Sequence, residues 1–224
     1  AREILAEENK TNPGNGYVVY LEHYCESIEL IITEDEKIYE ELIDKLPGRL
    51  EQIAQSGKGE PETGWLQAEM LFHAGLAQIK FGSRVNGVRK MLSSFKRIRE
   101  HREQYPLFWQ NRKLNGAFNI ILDFIPPYMR WATDLFGYSG DAETGLQQLR
   151  DYCVTAKSTP GLAEEAILFT GLGYKLSWKE EQGFEFLAGQ DPTNTDVILV
   201  KYLHASLASF TYRNDLALEL LQEI

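Results

Sequence analysis

Small residues recur at a fixed spacing in the last third of the chain, and this spacing restricts the fold more than any other feature. Gly171 and Gly183 are twelve residues apart, and Ala205 and Ala217 repeat that spacing 34 residues later. Two antiparallel helices can approach closely only where their side chains are small, and bulky neighbours then fill the space between adjacent hairpins. A 34-residue period of this kind predicts stacked helical hairpins.

The same unit recurs along the rest of the chain. Gly75 and Gly87 again lie twelve residues apart. No segment has the strict alternation or the β-branched clustering that is typical of a strand. The sequence therefore predicts an all-α fold forming one domain over residues 1–224. The predicted helical pairs span residues 17–56, 65–105, 107–156, 162–188 and 196–224.

This pattern resembles the tetratricopeptide repeat family over essentially the whole chain. Tyr174 lies three residues after Gly171, as in that family, and Ser27 and Tyr39 stand at the small-residue positions of the first pair. Prolines also fall at or near the ends of hairpins: Pro13, Pro106, Pro160 and Pro192. The resemblance implies an α-solenoid, a right-handed superhelix whose first helices line an inner groove.

One segment, Leu114–Asp151, departs from the regular repeat because it is longer and contains Pro126-Pro127, which cannot lie inside a regular helix. Its motifs are Gly116-Ala117-Phe118-Asn119, Ile125-Pro126-Pro127, Phe136-Gly137-Tyr138-Ser139-Gly140-Asp141 and Gly145. The segment resembles the family of the animal tetratricopeptide repeat domain 39 proteins and the fungal inclusion-body clearance protein. That resemblance implies an all-α repeat protein with no established catalytic residues.

Composition restricts the possible partners. The chain has 23 Lys and Arg against 33 Asp and Glu, a formal charge of −10, so it is expected to repel nucleic acid. No apolar run approaches the roughly 20 residues of a membrane-spanning helix. Both ends lie within helical patterns and there is no initiating Met, so we expect a fragment of a longer chain, and the sequence does not indicate a compartment.

Residues that carry chemistry are scattered rather than grouped. Each of the four histidines, His23, His73, His101 and His204, lies on a separate predicted helix, and no metal-ligand spacing is present. Cys25 and Cys153 lie in apolar helical patterns and are expected to be small core residues. The sequence therefore predicts a protein that is not an enzyme and needs neither a cofactor nor a metal.

The inner groove of the predicted solenoid is the candidate binding site. Projecting the repeat places these residues there: Glu69, Phe72, Leu76, Lys80, Leu168, Leu172, Lys175, Tyr202, Ser206 and Phe210. Aromatic, aliphatic and a few charged side chains suit an extended or helical peptide. The predicted function is a non-catalytic scaffold that binds a protein or peptide.

Three alternatives bear on this groove. Half of its residues could simply pack against neighbouring helices. The family's clamp for acidic C-terminal peptides needs Asn where Leu76, Leu172 and Ser206 stand, so we do not expect binding of chaperone tails. The helices could instead form a receptor for a small molecule or an oligosaccharide, in aromatic-lined hollows near Trp109, Trp131 or Trp178.

The ends of the predicted array form a further candidate surface. Terminal repeats normally carry polar outer faces, and we expect apolar ones at the ends of this array. Self-association is therefore expected through apolar faces near Leu218 and Leu221.

Overall fold

A computed structural model describes residues 2–12, 14–57, 59–125, 139–159, 161–190 and 197–224. Every regular element in these ranges is an α-helix, which confirms the all-α prediction. Contacts between residues divide the chain into two compact units, Ala1–Asn111 (unit 1) and Arg112–Ile224 (unit 2). The single continuous domain over residues 1–224 stays a prediction.

The described part of unit 1 contains five helices, which pack in sequence. They are α1 (Arg2–Thr11), α2 (Gly16–Thr33), α3 (Glu36–Ser56), α4 (Pro61–Lys80) and α5 (Arg84–Gln104). Helix α4 begins four residues before the predicted Trp65, because a proline is well suited to the first turn, where its missing N–H has no intrahelical partner. Helices α2 and α3 form one hairpin, and α4 and α5 form the next.

Unit 2 holds the remaining six described helices. They are α6 (Asn111–Asp123, which begins at the boundary), α7 (Ala142–Ala156), α8 (Ala163–Leu176), α9 (Glu180–Ala188), α10 (Ile198–Phe210) and α11 (Asn214–Gln222). The predicted pair 107–156 begins at Asn111 rather than Leu107, because two turn hydrogen bonds, from the Phe108 N–H to Tyr105 O and from the Asn111 N–H to Phe108 O, occupy the preceding residues. The Pro126-Pro127 break lies outside the described residues.

Four hairpins share one turn conformation. The residue two positions before the second helix has a positive φ, which is 53° at Glu34, 84° at Gly82, 55° at Trp178 and 63° at Tyr212. Glycine adopts this conformation without strain, whereas the other three residues require compensating contacts nearby. The small residues stand seven positions before and five after this turn residue, so the twelve-residue spacing reflects the geometry of the turn.

Helices α4 and α5 cross most closely at the Gly75–Gly87 pair. A Cβ added to Gly87 would lie 2.8 Å from Gly75 O and 2.8 Å from Ile79 N. The α8–α9 hairpin is similar, because a Cβ at Gly183 would lie 2.8 Å from Tyr174 Cβ. No larger side chain fits at these crossings without movement of the backbone.

The irregular α6–α7 pair keeps a close crossing although its connection differs. A Cβ at Gly145 would lie 2.7 Å from Gly116 O, and one at Gly116 would lie 2.9 Å from Gly145 O. These glycines are 29 residues apart instead of twelve. Gly140 also packs on α6, where a Cβ would clash with Asn119 O.

Buried polar contacts accompany the apolar cores of both units. In unit 1 the Ser94 hydroxyl donates to Ala68 O at 2.7 Å and ties α5 to α4. In unit 2 the fully buried Lys113 ammonium lies 2.9 Å from Oε1 of Glu165, and Oε2 of the same carboxylate accepts from the Tyr152 hydroxyl at 2.9 Å. These three side chains join α6, α7 and α8. A buried pair of this kind is costly to break one partner at a time.

Candidate functional site

The four predicted groove residues of unit 1 all lie on α4, where two are buried and two are exposed to solvent. Glu69 and Phe72 are buried, at 0% and 4% exposure, and the Glu69 carboxylate lies 3.7 Å from His73 Nε2. Leu76 is 43% exposed, and the exposed Lys80 donates to a Glu34 carboxylate oxygen at 2.6 Å. Unit 1 therefore presents only the C-terminal part of the predicted stripe to solvent.

The six predicted residues of unit 2 lie on two helices that pack side by side. They are Leu168, Leu172 and Lys175 on α8, and Tyr202, Ser206 and Phe210 on α10. Leu168 packs against the buried cluster of Leu187, Leu203 and Leu207, so it belongs mainly to the core beneath the exposed surface of these helices. Tyr202 and Phe210 are more exposed, at 59% and 57%, and Leu172 is 38% exposed.

Lys175 connects the two helices at the centre of this surface. Its ammonium group donates to Ser206 Oγ at 2.5 Å and lies 5.0 Å from the centroid of the Phe210 ring. A cation over an aromatic face is attracted by the ring quadrupole. These contacts hold the charge in place beside the exposed aromatic ring.

Two further residues extend the surface, and the sequence prediction omitted both. Leu176 follows Leu172 by four residues and is 56% exposed, while Ile198 precedes Tyr202 by four and is 51% exposed. The four-residue helical spacing would have identified both. We call the surface of Leu172, Lys175, Leu176, Ile198, Tyr202, Ser206 and Phe210 the α8/α10 face.

Two cavities of the described regions are open grooves in unit 1. One of about 530 Å³ lies between α2 and α3, where Arg49 donates two hydrogen bonds to Glu26 at 2.6 and 2.9 Å. The other, about 400 Å³, lies along α2 and has an almost entirely apolar lining. The small-molecule alternative places aromatic hollows near three tryptophans. Of these, Trp178 is 74% exposed, Trp109 is half-buried and Trp131 lies outside the described residues.

Cys153 is buried as predicted, whereas Cys25 is half-buried and lines the open apolar groove along α2 instead of the core. His101 is buried and hydrogen-bonded to Asn111 and Pro61, and the other three histidines pack against aromatic rings.

His23 and His73 stack with ring centroids 5.8 Å apart, and burial lowers the pKa of His23 to about 4. Burial also lowers the pKa of His204, which packs on Phe184, and raises that of the Cys153 thiol. Within the described ranges, no group of three or more His, Cys, Asp or Glu side chains is placed to hold a metal ion.

The chain matches no protein-family model, no curated protein and no solved structure. Among the helices that the structure describes, none combines the length and apolarity needed to cross a bilayer.

Proposed function

We propose that the chain is a tetratricopeptide-type scaffold, not an enzyme, that binds a peptide or a partner protein on the α8/α10 face. The observation that carries the proposal is this face itself. It has five exposed apolar side chains, Leu172, Leu176, Ile198, Tyr202 and Phe210, on two adjacent first helices, around a fixed ammonium group. Large contiguous apolar patches on soluble proteins commonly mark interaction sites.

The chemistry of the face favours a peptide that carries apolar side chains and a hydrogen-bond acceptor near one end. Tyrosine provides a large contact area at low entropic cost, and aromatic residues dominate the energetics of interfaces. Lys175 adds a donor that can bind a backbone carbonyl or a carboxylate of the ligand. A small molecule is usually enclosed over most of its surface, which an open face of this kind does not provide.

Repeated contacts in unit 2 support the solenoid part of the proposal. The last turn residue of the α8–α9 hairpin, Lys179, pairs with Glu143 in the first turn of α7. Its counterpart in the next hairpin, Arg213, pairs with Glu181 in the first turn of α9 at 2.5 Å. Equivalent positions thus make equivalent contacts. We propose that the hairpins continue as one right-handed superhelix over residues 1–224.

Solution scattering tests the superhelix. A compact globule of 224 residues has a radius of gyration of about 17 Å, and an extended array exceeds it. A measured radius at the compact value would contradict the continuous solenoid.

Peptide selection tests the binding face. Random peptides are selected on the wild-type chain, and their affinities are measured for Tyr202→Ala, Phe210→Ala and the control Val154→Ala, which alters a 72%-exposed apolar side chain on α7. We expect the first two variants to weaken binding about tenfold or more and the control to leave it unchanged. Selected peptides that bind all four proteins equally would overturn the proposal, as would the absence of any enrichment.

A further inference from the structure

Positive charge is concentrated in one stretch of this acidic chain. Acidic residues make up 33 of the 224 positions, yet none lies between Glu69 and Glu100. The same stretch carries seven Lys and Arg, and six of them lie on α5. A local excess of one charge sign attracts a ligand of the opposite sign. The six cations of α5 in this stretch are Arg84, Arg89, Lys90, Lys96, Arg97 and Arg99.

The N-terminal half of α5 has no carboxylate that compensates its charge. Arg84 and Arg89 are exposed, and neither forms an ion pair with a residue that the structure describes. Arg84 lies in the first turn, where the helix dipole already has its positive end, so a cation there destabilises the helix. Neither ion pairing nor helix stability therefore accounts for these two cations.

The C-terminal half of α5 carries two ion pairs, and both are weak. Lys96 Nζ lies 3.8 Å from a carboxylate oxygen of Glu100. Arg99 Nε lies 3.9 Å from a carboxylate oxygen of Glu103. These four side chains are between 47% and 70% exposed. Exposed pairs at i, i+4 spacing contribute little to stability, so their cations can exchange partners at small cost.

Exposed aliphatic side chains lie among these cations. Val85 is 67% exposed, Val88 is 48% exposed and Leu92 is half-buried. Positions i, i+3 and i+7 lie on one face of a helix, so the three form a short apolar stripe. The cations that lie three, four or seven positions from a member of this stripe share its face: Arg84, Arg89, Lys96 and Arg99. We call these seven residues the α5 face.

The composition of the α5 face favours an acidic amphipathic helix over other anions. Carboxylates on such a helix reach the flanking cations, and its apolar side chains cover the stripe. A nucleic-acid backbone supplies the charge but presents no apolar side chains to the stripe. A long polyanion would also meet the rest of the chain, which is more acidic than the whole once α5 is excluded and would repel it.

We propose that the α5 face binds an acidic amphipathic α-helix of a partner protein. The segment from Arg84 to Arg99 spans about 24 Å of helix, so the partner helix needs about sixteen residues. Its apolar side chains cover Val85, Val88 and Leu92, and its carboxylates pair with the flanking cations. The α5 face shares no residue with the α8/α10 face, so either proposal can fail alone.

Two labelled peptides of roughly 18 residues test the proposal by fluorescence anisotropy. Both have Leu at i, i+3, i+4 and i+7 positions. One peptide has Glu at the positions that flank the Leu stripe, and the other has Gln there. The Gln peptide separates the effect of charge from that of apolar contact.

The variant Arg84→Gln/Arg89→Gln/Lys96→Gln removes three cations of the α5 face, and glutamine retains a high helix propensity. Circular dichroism verifies that the variant keeps its helical content. A matched control removes three exposed cations elsewhere and changes the net charge equally. It is Lys10→Gln/Lys37→Gln/Lys157→Gln.

At about 0.15 M salt, charges more than about 8 Å apart are largely screened, so binding depends on the charges of the face itself. We expect the α5 variant to bind the Glu peptide about tenfold more weakly, because each exposed pair contributes a factor of about two to three. The Gln peptide should bind wild type about tenfold more weakly. Val88→Ser keeps every charge and should weaken binding about threefold, because it removes an apolar contact. The control triple variant and Tyr202→Ala should leave the affinity unchanged.

An absence of binding by the Glu peptide, equal binding of the two peptides, or equal losses in the α5 variant and its control would overturn the proposal. Single-stranded DNA and vesicles of an anionic phospholipid are the competing occupants. If either binds more tightly than the Glu peptide and is lost in the α5 variant, the partner carries phosphate and is not an acidic helix. Self-association of wild type that the α5 variant abolishes would identify a second copy of this chain as the occupant.

Discussion

Gly87→Ala tests whether α4 and α5 cross as closely as the twelve-residue spacing predicts. The added methyl would lie 2.6 Å from Ile79 Cγ1, 2.8 Å from Ile79 N and 2.8 Å from Gly75 O. Two of these three atoms belong to the backbone, which cannot rotate away as a side chain can. The helices must therefore separate to accommodate the substitution.

The expected magnitude follows from two opposing effects. Replacing glycine by alanine within a helix stabilises it by about 0.5–1 kcal/mol, because the unfolded chain has less conformational freedom to lose. Overpacking a close crossing costs about 1–3 kcal/mol, and contacts with backbone atoms favour the upper part of that range. We therefore expect Gly87→Ala to lower the free energy of unfolding by about 1–2 kcal/mol.

Gly48→Ala is the matched control, because Gly48 lies inside α3 and a Cβ there would meet nothing within 4 Å. It should raise stability by about 0.5–1 kcal/mol. Hydrogen exchange at the amides of α4 and α5 measures the effect, since two compact units need not unfold in one transition. If Gly87→Ala protects these amides as Gly48→Ala protects those of α3, the close crossing is refuted.

Three further predictions concern a buried pair, a buried histidine and an exposed end. Lys113→Met should lower the free energy of unfolding by about 3–5 kcal/mol, because it leaves the Glu165 carboxylate buried without its ammonium partner. In urea denaturation, a Lys113→Met/Glu165→Leu double variant should be less destabilised than the sum of the single variants. Burial lowers the pKa of His23 to about 4, so the unfolded chain binds a proton below about pH 6.5 that the folded chain does not. Stability should therefore fall as the pH drops from about 6.5 to 4, by up to about 1.4 kcal/mol per pH unit, and His23→Gln should flatten this dependence in urea titrations. Leu218 and Leu221 are 61% and 47% exposed, so wild type should self-associate in sedimentation and Leu218→Ser/Leu221→Ser should not; a monomeric wild type at high concentration would contradict this.

The positions of the helices could be predicted because they depend on local chemistry. The pair predicted over residues 162–188 runs from Ala163 to Ala188, and the pair predicted over residues 65–105 ends at Gln104. The positive φ at Trp178 and Tyr212 could not be predicted, because aromatic side chains disfavour that conformation. The surrounding hairpin imposes it, and such tertiary effects have no local signal.

The candidate site could be predicted only in part, because helical periodicity identifies a face but not what covers it. The same projection selected Tyr202, which is exposed, and Glu69, which is buried. The residue type at position 69 indicated an exposed side chain, because a glutamate is rarely buried without compensating contacts. The contact between Lys175 and Ser206 depends on the packing of α8 against α10, which sequence spacing within one helix does not specify.

The irregular pair shows that close crossing, and not the 34-residue period, is the physical requirement of this fold. Gly116 and Gly145 approach through backbone atoms, as Gly75 and Gly87 do, although their separations along the chain are 29 and twelve residues. In the short hairpins, the small residues lie seven positions before and five positions after the turn residue with positive φ, so the turn fixes their twelve-residue spacing. The connection in the α6–α7 pair is longer, so its two glycines lie farther apart in sequence and still meet at the crossing. Within unit 2, Lys113 of α6 still pairs with Glu165 of α8, so the first helix of the irregular pair keeps its contact with the next first helix.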